Sequence, residues 1–385
     1  MTDPKIRIED CRDVLSQLVR INSCQPEGNE KDVVNLLTTI LNPKLTLKVI
    51  DHGNNRASLV AELEGLDKTP GTAFLGHIDT VACKDLKNWD YDPHEAKVIE
   101  NILYGRGSAD MKGGVAAMVL AANHLANLPE KPRHSILFCF TADEEAGGLG
   151  ACSLVEGKYL NGVESIIICE ASDDKVSFCE KGALWLRLDI HGVASHASRP
   201  DLGRNAVEYA IWFIQRLKEH VQDGNMHRIM GQTTVSVTNF HGGVMTNIIP
   251  SEAFVELDIR TIPGVSHDGI VTTAEKLCKE MQSKYSHVHA EIQVLNDRPA
   301  LECDPKSQFH QDIVSMAKSC DIGTEGKGHF FYTDASQVIP HLNVPFVIAG
   351  PGDDAMAHRV NECIDLNSVS KFASFYTHFL TKHYW

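Results

Sequence analysis

The chain has 385 residues, 43% hydrophobic and 23% charged, which is enough for two domains with sizeable cores. A formal net charge of -15 and the lack of any basic cluster argue against nucleic acid as a partner. No apolar stretch approaches the ~20 residues of a membrane span, and the N-terminus has no apolar signal core. The 11 cysteines are scattered singly with no CxxC pair. They read as reduced thiols of a cytoplasmic protein, and their spacing gives no structural zinc site.

In chain order, 9–40 has amphipathic helical periodicity, broken at 22–28 and resumed from Glu30. Strand-like and helix-like segments then alternate to about 178, which predicts a mostly parallel sheet covered by helices. The character changes near Glu180. Residues 183–191 alternate like a half-exposed strand, with Leu184, Leu186, Leu188 and Ile190 on one face. A loop at 196–203 and a helix at 205–220 follow. Next come strands at 233–240 and 253–260, a helix over about 267–285 and a strand at 289–295. The order β-α-β-β-α-β is the split βαβ, ferredoxin-like unit. It predicts a domain over 180–295 inserted into a first domain formed by 1–179 and 296–385.

Acids and histidines recur at the ends of the apolar runs. The run 135–142 ends in Asp143-Glu-Glu145, and 72–76 ends in His77-Ile-Asp79. The run 164–169 ends in Glu170. Asp110 follows Tyr104-Gly-Arg-Gly-Ser-Ala109 and precedes an apolar helix over 115–128. Val344-Pro-Phe-Val-Ile-Ala349 leads to Gly350-Pro-Gly352 and then His358. Adjacent carboxylates raise each other's pKa unless a cation neutralises them. The carboxyl ends of strands are where ligands bind in open α/β folds. Taken singly, each residue has a plainer reading: Asp110 as a helix N-cap, Glu170 as an ordinary strand end, His77 and His358 as hydrogen-bonded histidines. Their recurrence favours a metal site, and Asp79, two residues beyond His77, is spaced to orient its imidazole.

A set of short motifs then runs through nearly the whole chain in order: Gly76-His-Ile-Asp-Thr80, Ser108-Ala-Asp-Met-Lys-Gly113, Thr141-Ala-Asp-Glu-Glu-Ala146, Ile168-Cys-Glu170, His196-Ala-Ser-Arg-Pro200, Gly203-Arg-Asn-Ala206, Asn247-Ile-Ile-Pro250, Thr333-Asp-Ala335 and Ala357-His358. This set resembles the metallopeptidase family that contains acetylornithine deacetylase, succinyl-diaminopimelate desuccinylase, aminoacylase and glutamate carboxypeptidase. Arg359-Val-Asn361 stands where relatives often carry a Gln-Pro-Asp-like stretch.

The resemblance implies a zinc-peptidase-like catalytic domain with an inserted lid and dimerisation domain. It implies two divalent ions, zinc by preference with cobalt or manganese as alternatives. Asp110 would bridge them, with His77 and Glu170 completing one site and Glu145 and His358 the other. Glu144 would be the general base, with Asp79 behind His77. His196 would stabilise the tetrahedral oxyanion, in its own subunit or in the partner of a homodimer. Asn247 and Arg260 resemble substrate-contacting positions, although Arg260 reads equally as a strand-end surface arginine. The backbone of Gly350 and Gly352 is a further candidate for a substrate carboxylate. The implied reaction is amide hydrolysis of an N-acyl amino acid. A di- or tripeptidase or carboxypeptidase of the same family is the first alternative. A non-catalytic binding protein on this fold is the second, and Glu144 beside a full ligand set argues against it. A redox role lacks a paired cysteine motif.

Overall fold

The computed structural model describes residues 6–222 and 224–385, which fall into two compact units. The first runs to Cys179 and takes in Cys303–Lys327 and Thr333–Trp385; the second is Glu180–Glu302 with Gly328–Tyr332.

The first unit is built on a six-stranded sheet. Its spatial order is Thr46–Gly53, Arg56–Leu63, His134–Thr141, Asp67–His77, Ser165–Ala171 and Phe346–Gly350. The last four run parallel, and Arg56–Leu63 is antiparallel to both of its neighbours. Strands buried on both faces read as continuous apolar runs, and Ser165–Ala171 and Phe346–Gly350 are buried at every position. Register places His77 beside Thr141 and Leu75 beside Ile168, so His77, Glu144, Glu145 and Glu170 emerge at one end of the sheet.

The helix Gly113–Ala126 is apolar on nearly all sides and packs against Ile8–Val19 and Leu366–Tyr384. Gly114 lets it approach the sheet, since a Cβ there would lie 2.0 Å from the Cys169 carbonyl oxygen. Asp365 caps the final helix by accepting from the Asn367 N–H. Phe74, Phe138, Phe372 and Tyr376 are fully buried where the helices meet the sheet, and each contributes on the order of 2–3 kcal/mol of transfer free energy.

The second unit is a four-stranded antiparallel sheet with two helices and a separate core. Its order is Thr234–Gly242, Glu252–Thr261, Gly182–His191 and His289–Arg298. In chain order the arrangement is 4-1-3-2, the ferredoxin-like topology. Leu184, Leu186, Leu188 and Ile190 all face inward against helices Ala206–Val221 and His267–Lys284. Asn205 and Ser266 cap those helices.

The passage back to the first unit comes later than 296. The strand His289–Arg298 stays paired with Gly182–His191 as far as Arg298 beside Ala183. A bridge from Glu180 to His329 draws Gly328–Tyr332 into the second unit as well. Among the described residues, no helix is long and apolar enough to cross a membrane.

Candidate metal centre

Seven of the residues marked out by the sequence come together in the first unit: His77, Asp79, Asp110, Glu144, Glu145, Glu170 and His358. His77 Nε2 lies 3.1 Å from Asp110 Oδ1 and 3.3 Å from Glu170 Oε1. His358 Nε2 lies 3.0 Å from Glu145 Oε2 and 3.3 Å from Asp110 Oδ2. The two oxygens of Asp110 therefore face different partner sets. The ligand atoms offered by His77, Asp110 and Glu145 all lie within 4.8 Å of one another.

The orienting interactions are local. The His77 Nδ1–H points at the Asp79 main-chain carbonyl at 3.0 Å, closer than the Asp79 carboxylate at 3.5 Å. In the neutral ring this leaves the Nε2 lone pair facing Asp110 and Glu170. The fully buried Asp79 carboxylate takes on a second task. It accepts from the backbone N–H of Glu144 at 3.1 Å, from that of Glu145 at 3.2 Å and from Gln25 Nε2 at 2.8 Å. Its residue thus aims the first histidine and fixes the turn that carries both glutamates.

The electrostatics are those of a site that expects cations. Burial, with Glu145 close by, pushes the Glu144 carboxyl well above its ordinary range. Burial first and then Asp110 raise Glu145 to about 7, and burial also raises Glu170. Hydrogen bonds donated to Asp110 and Glu145 lift His358 to about 10. Burial opposes charge on His77, but Glu170, Asp110 and Asp79 hold it well above an ordinary imidazole. Burial likewise works against Asp110, and the two histidines more than offset it. Cations among these oxygens would compensate the charge that burial disfavours. Five oxygen and nitrogen donors split into two sets by one carboxylate fit a pair of divalent ions, and no thiolate competes among them.

Several residues beyond the candidate ligands support the site. Glu362 is fully buried and pairs with Arg106 at 2.7 Å. Its carboxylate also accepts from the backbone N–H of Gly107, Ala109 and Asp110, at 3.0, 2.9 and 3.0 Å, and so fixes the loop that presents Asp110. Asp334 is buried behind the site, accepts from Thr141 Oγ1 at 2.5 Å and is raised to about 6 by burial. Arg56 clasps Asp143 and Gln25, which ties the Asp143-Glu-Glu145 turn to Asp79.

Gly350 and Gly352 have another task than receiving a carboxylate. The Gly350 N–H donates to Ser172 Oγ and the Gly352 N–H to Ser368 Oγ, each at 3.1 Å, so both donors are already used. A Cβ on Gly350 would sit 2.1 Å from the Cys169 carbonyl oxygen, and Gly352 has φ +102°. These glycines shape the turn that leads to His358.

His196, Asn247 and Arg260 belong to the second unit. His196 is exposed on a two-residue strand beside Ile248, next to Asn247, whose carbonyl accepts from the Ala197 N–H. His196 Nδ1 accepts from the Ser198 backbone N–H at 3.2 Å, which places the proton of the neutral ring on Nε2. The Arg260 guanidinium is held bidentately by Asp258 of its own strand at 2.8 and 3.0 Å. That pairing favours the strand-end reading.

The sequence matches the model of Peptidase family M20/M25/M40 over residues 73–382. A probable succinyl-diaminopimelate desuccinylase of Staphylococcus epidermidis is 28% identical over 385 aligned positions, covering 91% of this chain and 92% of the relative. A protein of the same description from Staphylococcus aureus is 26% identical, covering 93% and 94%. Among solved structures, a tripeptidase of Staphylococcus aureus superposes with a TM-score of 0.77 at 22% identity, covering 98% of this chain and 99% of that one. A dinuclear metal binding peptidase of Bacillus subtilis gives 0.72 at 16% identity, covering 97% and 98%. The family match spans most of the chain, so the protein belongs to peptidase family M20/M25/M40 and is a metal-dependent hydrolase.

Proposed function

We propose that this hydrolase is a cytoplasmic deacylase that cleaves the amide bond of an N-acyl amino acid, a succinyl or acetyl derivative first among them. The observation that carries the reading is the division of the Asp110 oxygens between the His77–Glu170 and His358–Glu145 sets. Those five residues are assigned as ligands of two zinc ions, with cobalt and manganese as workable substitutes. When bound, the ions lower the pKa of a water and polarise the scissile carbonyl.

The remaining chemistry belongs to the chain. Glu144, already inclined to hold a proton, takes one from the attacking water and passes it to the leaving amine. The C–N bond breaks as the amine leaves with that proton. The His196 Nε2–H is a suitable donor to the tetrahedral oxyanion, and such a donor is typically worth ~3 kcal/mol of barrier. Asn247 is assigned to substrate contact beside it. We assign the second unit the roles of lid and homodimer surface. Its edge strand Thr234–Gly242 exposes Val237 and Phe240, which supports a partner there. The cytoplasmic placement rests on 11 cysteines of which none forms a disulfide.

The test is a screen of zinc- and cobalt-loaded protein against N-succinyl, N-acetyl and N-formyl amino acids alongside di- and tripeptides. The reading predicts faster turnover of acyl amino acids. Faster cleavage of peptides with a free amino terminus would make the chain a peptidase of the same chemistry. No metal-dependent turnover on the whole panel would contradict both.

A further inference from the structure

A second group of ligands lies outside the hydrolytic set and shares no residue with it. Cys24 comes from the segment between helices Ile8–Val19 and Glu30–Ile40, Cys83 follows the strand Asp67–His77, and His94 precedes the short strand Lys97–Ile99. Their donor atoms form a nearly equilateral triangle. Cys24 Sγ to Cys83 Sγ is 3.7 Å, Cys24 Sγ to His94 Nε2 is 3.9 Å, and Cys83 Sγ to His94 Nε2 is 3.8 Å. A tetrahedral ion with metal–sulfur bonds of ~2.3 Å and metal–nitrogen bonds of ~2.0 Å has edges of about 3.8 and 3.5 Å. The three donors thus sit close to one face of such a tetrahedron before any ion is considered.

The surroundings suit ligation. The His94 Nδ1–H is directed at the Val19 carbonyl, 3.3 Å away, which leaves Nε2 as the lone pair facing the two sulfurs. Thr80 Oγ1 donates to Cys24 Sγ at 3.3 Å, as an outer partner of a thiolate would. The Lys112 ammonium is buried and in electrostatic reach of Cys24; the Arg106 guanidinium is in reach of Cys83, but the hydrogen bond to Cys24 and burial hold the Cys83 thiol well above its ordinary range, so an ion would displace that proton. Nearby cations favour thiolate over thiol. The hydrogen bond from Cys83 brings the Cys24 thiol down to about 4, against the effect of burial. Cys24 is 8% exposed, and Cys83 and His94 are part-buried, so an ion could enter from the side of Cys83 and His94.

We propose that Cys24, Cys83 and His94 form an additional Cys₂His site for a thiophilic divalent cation of the zinc class, with a water as fourth ligand. Its place gives it a structural task. The Gln25 N–H donates to the Thr80 carbonyl at 2.8 Å, and the Gln25 side chain donates to Asp79. An ion on Cys24 therefore pins the segment that supports the Asp79 carboxylate.

The test uses the full chain, reduced and freed of metal, then titrated with cobalt. A thiolate-to-cobalt charge-transfer band in the near ultraviolet separates this site from the hydrolytic set, which has only oxygen and nitrogen donors, and the variants below assign it to these residues. The proposal predicts that the band saturates by three equivalents, two of them taken by the other centre. It predicts loss of the band in Cys83→Ser and a clear weakening in His94→Gln. Asp110→Ala should keep the band while losing the ions of the other centre. Cobalt uptake by the reduced wild-type chain without the band, or an unchanged band in both Cys83→Ser and His94→Gln, overturns it. The wild-type titration decides the matter even where a variant fails to fold.

Discussion

Glu362 reached the site without a motif. It sits 252 positions from the Asp110 amide it accepts from and 256 from Arg106, so no local pattern could reveal it. Removing its charge would leave Arg106 buried and unpaired, and breaking a buried ion pair typically costs about 3–5 kcal/mol. Glu362→Gln should lose that order of stability in denaturant titrations. It should also weaken metal binding by about 10–100-fold, as loss of outer partners does at other metal sites. Wild-type stability and affinity together would remove Glu362 from the support of Asp110. Protons in the metal-free centre give a second prediction. His358 stays protonated up to about 10 and Glu145 up to about 7, so a cation must displace protons from both at neutral pH. Metal affinity should therefore rise with pH across about 6–8 with release of protons, measurable by calorimetry in buffers of different ionisation enthalpy. A flat profile would mean that these side chains are not ligands.

At the scale of elements, packing depends on backbones meeting closely. The helix Gly113–Ala126 touches the sheet through Gly114, whose Cβ would overlap a backbone carbonyl that cannot move aside. Gly114→Ala should destabilise by about 1–3 kcal/mol or more, read as a fall in thermal midpoint, since overpacking against a rigid neighbour is costly. An unchanged midpoint would show that the helix can shift. Most of these elements were legible in the sequence because period and burial coincide: Leu184, Leu186, Leu188 and Ile190 alternate and face the second core. That His77, Asp110, Glu145, Glu170 and His358 would gather at one end of the sheet was legible because acids and histidines at the ends of apolar runs are costly unless they are used. Direction was not legible, and Arg56–Leu63 runs against both neighbours although its composition resembles theirs. Hydrogen-bond occupancy was hidden too, because nothing in Gly350-Pro-Gly352 says that Ser172 and Ser368 have taken its amides. Cysteine spacings of 59 and 11 residues to their partners likewise conceal a cluster formed only by folding.

On the scale of the whole molecule, the two units have separate cores, and all seven residues of the candidate centre lie in the first. Ligand binding stabilises what it binds, by about 2.7 kcal/mol at a hundredfold excess over Kd. Scanning calorimetry should therefore show the transition of the first unit rising with added zinc and falling with chelator, while that of the second stays in place. Equal shifts in both would mean that the chain unfolds as one cooperative block. The proposed division of labour between Glu144 and Glu145 is the centre of the account: Glu145 would hold an ion and Glu144 would move a proton. The most direct test is Glu144→Gln, assayed for metal content and turnover on the same sample. The account predicts metal content equal to the parent and a fall in kcat of about 10²–10⁴-fold, the usual worth of a positioned general base. Loss of an ion, or turnover near the parent rate, would contradict it.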